Sequence, residues 1–137
     1  MSYTQNTAPQ LGGLSYTITG GTATAGGGVA AIPNPEGIPL ILRDVRLYVT
    51  ANSTGAANLT VGTAPSGTVA ATSLIGATAM AAAAGKVYSG DIGGGTAVGT
   101  ELTATALWGS ADYINVAGSA STAGLGAILY VDYYRTA

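Results

Sequence analysis

The sequence predicts an all-β domain, and three observations support this fold class. Short segments with apolar residues at every second position recur along the 137-residue chain, as is typical of half-buried strands. Its 22 glycines and 5 prolines separate these segments at positions that suit turns. Eight tyrosines and frequent β-branched residues favour strands over helices. We therefore expect a β-sandwich or barrel of eight or nine short strands.

The clearest strand is the segment LILRDVRLYVTA, at residues 40–51. From Val45 to Ala51, apolar residues alternate with polar or aromatic ones, so one row of side chains faces a core and the other lies outside. The segment also holds three of the chain's ten charged residues, which are Arg43, Asp44 and Arg46.

The other elements follow from the same alternation and from the glycine-rich turns between them. With the strand just described, strands are predicted at residues 14–19, 29–32, 40–51, 58–63, 69–75, 86–92, 101–108, 112–117 and 124–135. The run ATAMAAAA at residues 77–84 is the only predicted helix, a short one closed by Gly85.

The chain divides into a short arm and one domain. Residues 1–13 are polar, contain Pro9 and end in two glycines, so they are predicted to form a flexible N-terminal arm. Residues 14–137 are predicted to form a single β-sandwich. A jelly roll of about eight antiparallel strands is favoured over an immunoglobulin-like sandwich, because the Cys–Trp–Cys pattern of the latter is missing.

The charge content restricts the partners. Charged residues make up only 7% of the chain, against about 25% in typical domains, and the net charge is −2. A chain without a basic surface is not expected to bind nucleic acid directly. No run of about 20 apolar residues predicts a membrane span. So little charge favours self-association, because little repulsion keeps copies apart.

The residue types needed for most catalytic sites are missing. The chain has no histidine and no cysteine, which excludes Ser–His or Cys–His catalysis and thiolate or imidazole metal sites within one chain. No two of the six acidic residues lie close enough in sequence for a calcium loop. A pair of carboxylates brought together in space stays open, but neighbouring arginines favour ion pairs. The glycine clusters lack the ending of a phosphate loop, so turns and close backbone approach explain them better. We predict no cofactor, no metal and no enzymatic activity.

Tyrosines and the charged strand supply candidates for a protein interface. Tyrosine buries a large area while keeping a polar tip, which makes it frequent at protein interfaces. An ordinary amphipathic sheet face explains the same residues equally well. The candidates are Arg43, Asp44, Arg46, Tyr48, Tyr130, Tyr133 and Tyr134. Alternatively, the tyrosines and Trp108 form a platform that stacks on sugars.

Three segments carry a resemblance to a known family. They are the entry NPEG before the clearest strand, the hairpin STGAANLTVG, and the ending W-x-x-x-x-Y-I-x-V followed by G-x-x-x-x-L-x-V-x-Y. In this order, over about residues 14–134, the chain resembles the decoration, or cement, proteins on the heads of tailed bacteriophages. The resemblance implies a β-sandwich, often a jelly roll, that binds symmetric gaps between capsid subunits.

The combined expectation is a structural virion protein. It would be made in the host cytoplasm, decorate the capsid exterior and stabilise the shell by bridging subunits of the major capsid protein. It would also self-associate, as a dimer or a trimer. The alternatives are a carbohydrate-binding or adhesive module and a component of the tail or fibre.

Overall fold

Two antiparallel β-sheets packed face to face form the protein in a computed structural model, which describes residues 10–21, 28–67, 72–89 and 107–136. The predicted all-β sandwich is confirmed. The strands of the described residues are β1 Leu11–Thr19, β2 Gly28–Pro33, β3 Leu40–Ala51, β4 Asn58–Ala64, β5 Ile75–Ala79, β6 Val87–Ser89, β7 Leu107–Trp108, β8 Tyr113–Gly118 and β9 Gly126–Arg135.

The strands divide into two sheets, called sheet A and sheet B. Sheet A has the order β1-β9-β3-β6, and β7 also pairs with β3. Sheet B has the order β2-β8-β4-β5. The hairpin predicted at residues 53–62 is wrong, because β3 belongs to sheet A and β4 to sheet B, so this segment connects the two sheets. Because β9 occupies one edge of β3 along its length, β6 and β7 share the other edge, at opposite ends of the strand.

The core lies between the sheets and is filled by alternate side chains of the long strands. Leu47 of β3, Val116 of β8 and Leu129 of β9 are fully buried there. Each such side chain contributes about 1.5–3 kcal/mol through burial. Trp108 is the largest fully buried side chain; its ring meets that of Tyr133 edge-on, with centroids 6.3 Å apart and planes at 81°.

Near its middle, strand β3 carries one residue more than its partner β9. Leu42 pairs with Tyr133 of β9 and Asp44 pairs with Asp132, so Arg43 has no partner of its own. Such a β-bulge turns two consecutive side chains outward. Burial accordingly changes from even-numbered positions before the bulge to odd-numbered positions after it. The predicted alternation after the bulge is confirmed, except that Ala51 is exposed beyond a second register shift.

Asn34 fixes the turn that leads into β3. Its side-chain amide donates to the carbonyl oxygens of Ile38, Trp108 and Gly109 at 2.8–3.1 Å. Its side-chain oxygen accepts hydrogen bonds from two backbone N–H groups of the turn. The NPEG segment is thereby joined to the strand that holds the buried tryptophan.

The N-terminal boundary differs from the prediction. Strand β1 begins at Leu11, so residues 11–13 pair with β9 instead of belonging to the arm. Gln10 of the predicted arm accepts a hydrogen bond from the backbone N–H of Arg135, and residues 1–9 lie outside the described residues. Also outside are residues 101–106 of the strand predicted at 101–108, residues 90–92 of the strand predicted at 86–92 and residues 69–71 of the strand predicted at 69–75. The last prediction is wrong at residues 72–74, because β5 begins at Ile75.

The predicted helix at residues 77–84 is wrong. Strand β5 continues to Ala79, and turns follow it. The backbone N–H of Met80 donates to the carbonyl oxygen of Ala57, beside β4, at 2.9 Å. An eight-residue helix is marginal on its own because its nucleation is costly. The edge of β4 supplies hydrogen-bond partners that the local sequence does not reveal.

Gly20 shows why the chain carries glycine at one of its clusters. A Cβ at this position would lie 1.8 Å from the carbonyl oxygen of Thr122. No larger residue fits so close to another backbone segment. The interpretation of close backbone approach is therefore confirmed at Gly20, whereas residues 22–27 of the same cluster lie outside the described part of the chain.

Candidate functional site

The outer face of sheet A, called the contact face below, gathers the exposed large hydrophobic residues. Among the described residues, Tyr16 is the only member of this group that lies elsewhere. The members on the contact face are Leu11, Ile41, Tyr48, Val87, Leu107, Tyr130 and Tyr134. Single exposed apolar residues are normal, but a contiguous group of them marks an interaction surface.

The strand register arranges one row of these residues at one end of the face. Leu11 of β1 lies opposite Tyr134 of β9, Tyr134 lies opposite Ile41 of β3, and Ile41 lies opposite Leu107 of β7. Residues directly opposite each other have Cβ atoms about 4.5–5.5 Å apart. The four side chains therefore form one apolar strip across four strands.

A second apolar row lies at the other end of the face. Here Thr17 of β1, Ile128 of β9, Tyr48 of β3 and Val87 of β6 are opposite one another in turn. Val87 is among the most exposed hydrophobic side chains of the described residues. The contact face thus has an apolar strip at each end.

The middle of the face is charged but balanced. The bulge turns Arg43 and Asp44 outward beside Asp132. Arg46 donates from Nε to Oδ2 of Asp44 at 2.7 Å, and Nη1 of Arg43 lies 3.7 Å from Oδ2 of Asp132. The hydrogen bond to Asp44 raises the pKa of Arg46. Because water screens these exposed pairs, they add specificity more than stability.

The structure brings six of the seven predicted interface residues together on the contact face. These are Arg43, Asp44, Arg46, Tyr48, Tyr130 and Tyr134. Tyr133 is the exception, because its side chain points into the core and is only 3% exposed. Its assignment to a surface interface is corrected to a core position.

The hydroxyl of Tyr133 belongs to a cluster around Glu36, in the turn before β3. Tyr133 donates to Oε2 of Glu36 at 2.6 Å, and Arg135 donates from Nε to both carboxylate oxygens at 2.7 and 2.8 Å. The hydrogen bond from Arg135, and then that from Tyr133, lower the pKa of Glu36. Burial and the Glu36 carboxylate raise the pKa of Tyr133. The bonds tie the turn to the end of β9, which is a structural role.

Three of the four acidic residues in the described part of the chain are in ion pairs. No group of three acidic, histidine or cysteine side chains among them is placed to hold a metal ion. Asp44 and Asp132 do lie opposite each other, but each is beside an arginine on an open sheet face. A shallow depression near Ala57 and Ser119 has no charged side chain in its lining.

The sugar-stacking alternative loses one of its residues. Trp108 is fully buried, and its indole N–H donates to the carbonyl oxygen of Asp112 at 3.2 Å. Its ring faces Tyr133 inside the protein and cannot stack on a sugar.

The sequence reasoning missed most of the apolar part of the face. The sequence predicts Leu11 to lie in the arm, and its patterns do not distinguish Ile41, Val87 and Leu107 from other strand residues. The sequence holds one indication for Ile41. In LILRDV it stands between two leucines that face the core, so alternation places its side chain outward before the bulge shifts that alternation. The alignment of the rows depends on strand register, which no local pattern in the sequence carries.

Comparisons with known proteins give no match. No protein-family model matches the chain, and neither a curated protein nor a solved structure is significantly similar to it. Within the described residues, no helix has the length and apolar character needed to cross a membrane.

Proposed function

We propose that this protein is a non-enzymatic structural protein of a bacteriophage virion. It decorates the capsid exterior and stabilises the shell by bridging subunits of the major capsid protein. The observation that carries the proposal is the contact face, whose apolar strips on both sides of balanced charges favour a protein that functions in contact with other protein chains. Aromatic residues and arginine are enriched in protein interfaces, and this face presents both.

The resemblance in the sequence directs the proposal to the capsid. The segments that carry it form the framework of the sandwich: the NPEG turn leads into β3, and the ending covers β8 and β9. These segments position the contact face, because β3 and β9 are its two central strands.

We also propose that the sandwich is a jelly roll. Strands that follow one another in sequence occupy matching positions in opposite sheets, as β1 and β2, β3 and β4, and β8 and β9 do. This strand order supports the double Greek-key connection of a jelly roll.

Stabilisation follows from binding linkage. A protein that binds only the assembled shell favours assembly by RT ln(1 + [L]/Kd), or about 4 kcal/mol per site at a thousandfold excess over Kd. Many equivalent sites repeat this effect around the capsid. The shell then resists the outward pressure of its packed DNA.

The experiment is mass spectrometry of purified, washed virions, combined with heating of particles made with and without the protein. We expect the protein in the washed particles, and release of DNA at a lower temperature when it is missing. Adding the purified protein back should restore the heat resistance. Its absence from washed virions would contradict the proposal.

A further inference from the structure

The outward side chains of β3 form a pattern that is nearly symmetric about the middle of the strand. An apolar side chain lies toward each end of the pattern, and side chains of opposite charge lie at its centre. Along the strand the outward side chains are apolar at Ile41, acidic at Asp44, basic at Arg46 and apolar at Tyr48, with Arg43 at the bulge. If a second β3 lies antiparallel over the first, Ile41 meets Tyr48 and Asp44 meets Arg46. Both contacts then occur twice, which is the defining property of a two-fold interface.

The neighbouring strands follow the same symmetry. On β9, reversal about the midpoint between Asp132 and Tyr130 places Tyr134 over Ile128. On the other side of β3, β7 and β6 share one edge, so reversal places Leu107 over Val87. The apolar strip at one end of the face thus covers the strip at the other end.

We propose that the contact face packs on the same face of a second copy, in a two-fold dimer. The axis runs across the strands, between the Asp44 and Arg46 positions. The inference rests on the part of the proposed function that makes this face a protein contact. It leaves the remaining surfaces of both copies free for the capsid. One dimer therefore presents two identical binding surfaces, which suits the bridging of two subunits.

The charges favour a second copy over an unrelated partner. The face carries two arginines and two aspartates in its middle, so its formal charge is zero: they are Arg43, Arg46, Asp44 and Asp132. A middle of one sign would repel its own copy. A strongly acidic or basic partner would leave two of these charges facing a like charge. A copy turned about the proposed axis places Asp44 over Arg46 twice, and Asp132 then lies over Tyr130, so no two aspartates face each other.

The area of the contact face sets the expected affinity of the dimer. Four strand positions spaced about 4.8 Å apart and four rows spaced about 7 Å apart give a footprint of roughly 500 Å² on each copy. Two footprints bury about 1,000 Å², the lower end for specific interfaces. Two sheets can pack in this way with their strands within about 30° of antiparallel. We expect a dimer that dissociates at micromolar concentration.

Sedimentation velocity over a concentration series tests whether the contact face forms the dimer interface. Tyr48→Arg places a bulky charge in an apolar strip and should raise the dimer dissociation constant at least about tenfold. Tyr16→Arg is the matched control, because Tyr16 is 39% exposed and Tyr48 is 38% exposed, but Tyr16 lies off the contact face. The control should dimerise like the wild type.

Mixing two variants tests the position of the two-fold axis, which places Ile41 of one copy opposite Tyr48 of the other. Ile41→Asp and Tyr48→Lys should each be monomeric alone, whereas an equimolar mixture should form a heterodimer, because the two introduced side chains have opposite charges and face each other across the axis. Because the chain has no cysteine, Ile41→Cys and Tyr48→Cys can also be joined by a short bis-maleimide linker. The mixed pair should crosslink faster than either variant with itself.

Several results would overturn the inference. A wild type that stays monomeric or forms a trimer excludes the two-fold dimer, as does equal weakening by Tyr16→Arg and Tyr48→Arg. A mixture without heterodimer excludes the proposed axis. If the monomeric wild type binds capsids and Tyr48→Arg does not, the capsid protein covers the face, so the dimer is wrong while the proposed function stands. Absence from virions with an intact dimer in solution overturns the proposed function alone.

Discussion

Glu36 joins parts of the chain that lie far apart in sequence. Its carboxylate accepts hydrogen bonds from Tyr133 and Arg135, which are about a hundred positions away in the sequence. Arg135 also donates from Nη1 to the carbonyl oxygen of Leu11 at 2.8 Å. The cluster therefore connects the NPEG turn, the last strand and the first strand at one end of sheet A.

The pH dependence of stability should reveal this cluster. Because its bonds lower the pKa of Glu36 from the usual value of 4.5, the unfolded chain binds this proton more tightly than the folded protein does. Glu36 therefore adds stability above pH 4.5 that is lost as the pH falls through the folded pKa. We expect Glu36→Gln to lower the Tm at pH 7, and the difference from wild type to vanish in acid.

Thermal unfolding followed by circular dichroism measures this difference. Asp132→Asn is a suitable control, because its carboxylate is half exposed and lies 3.7 Å from its arginine. Its Tm should change less at pH 7. A Tm difference for Glu36→Gln that stays the same from neutral to acidic pH would contradict the role of the charge.

At the scale of elements, the bulge in β3 controls what the contact face displays. Without the extra residue, a strand in strict alternation would turn one charged side chain outward where two now lie, at Arg43 and Asp44. The bulge also shifts the alternation of inward and outward side chains by one residue, so that Leu42 before it and Val45 after it both face the core.

Two single-residue deletions in β3 should therefore differ sharply in their effect on the free energy of unfolding. Deletion of Arg43 restores strict alternation with every inward residue in place, so we expect a stability within about 1 kcal/mol of wild type. Deletion of Arg46 shifts the phase within a regular stretch, so either Asp44 must enter the core or Leu47 and Val49 must leave it. Exposing these two apolar side chains costs about 1.5–3 kcal/mol each.

Urea denaturation of the two deletion variants provides the comparison. Both remove one arginine from the same face of the same strand, so each controls for the loss of charge in the other. Equal destabilisation would show that the bulge is not a separable insertion in β3.

The elements that the sequence predicted well are those whose inward side chains are large. In β3, β8 and β9, leucine, isoleucine and valine at alternate positions make the period of two visible, and the structure places these strands within a few residues of the predicted bounds. In β5 the alternation is hidden, because small residues such as Ala77 and Ala79 resemble a helical segment. There the backbone partners on β4 decide the structure, and they are distant in sequence.

The contact face was predictable only in part for a related reason. Charges are rare in this chain, so Arg43, Asp44 and Arg46 stood out, and the tyrosines of β9 followed from their chemistry. Whether such residues share a face with Leu11 or Leu107 depends on pairing between strands far apart in sequence. The prediction that Tyr133 lies at an interface is wrong, because its ring is buried in the core. Its hydroxyl still donates a hydrogen bond, to the carboxylate of Glu36.

At the scale of the whole molecule, low charge and one exposed apolar face favour association with other protein chains. The chain has only ten charged residues, and six of those in the described part form three ion pairs, so little repulsion opposes association. A two-fold dimer would cover the contact face and present two equal surfaces to a shell. In the proposed function, such a dimer would let a small chain with few charges bridge two capsid subunits.

Electron cryo-microscopy of purified virions tests the central claim most directly. Particles with the protein should show pairs of β-sandwiches on the outside of the capsid, with the outer faces of sheet A turned toward each other and each pair touching two capsid subunits. Particles that lack the protein should lose only this density. A capsid exterior without sandwiches, or sandwich density confined to the tail, would contradict the account.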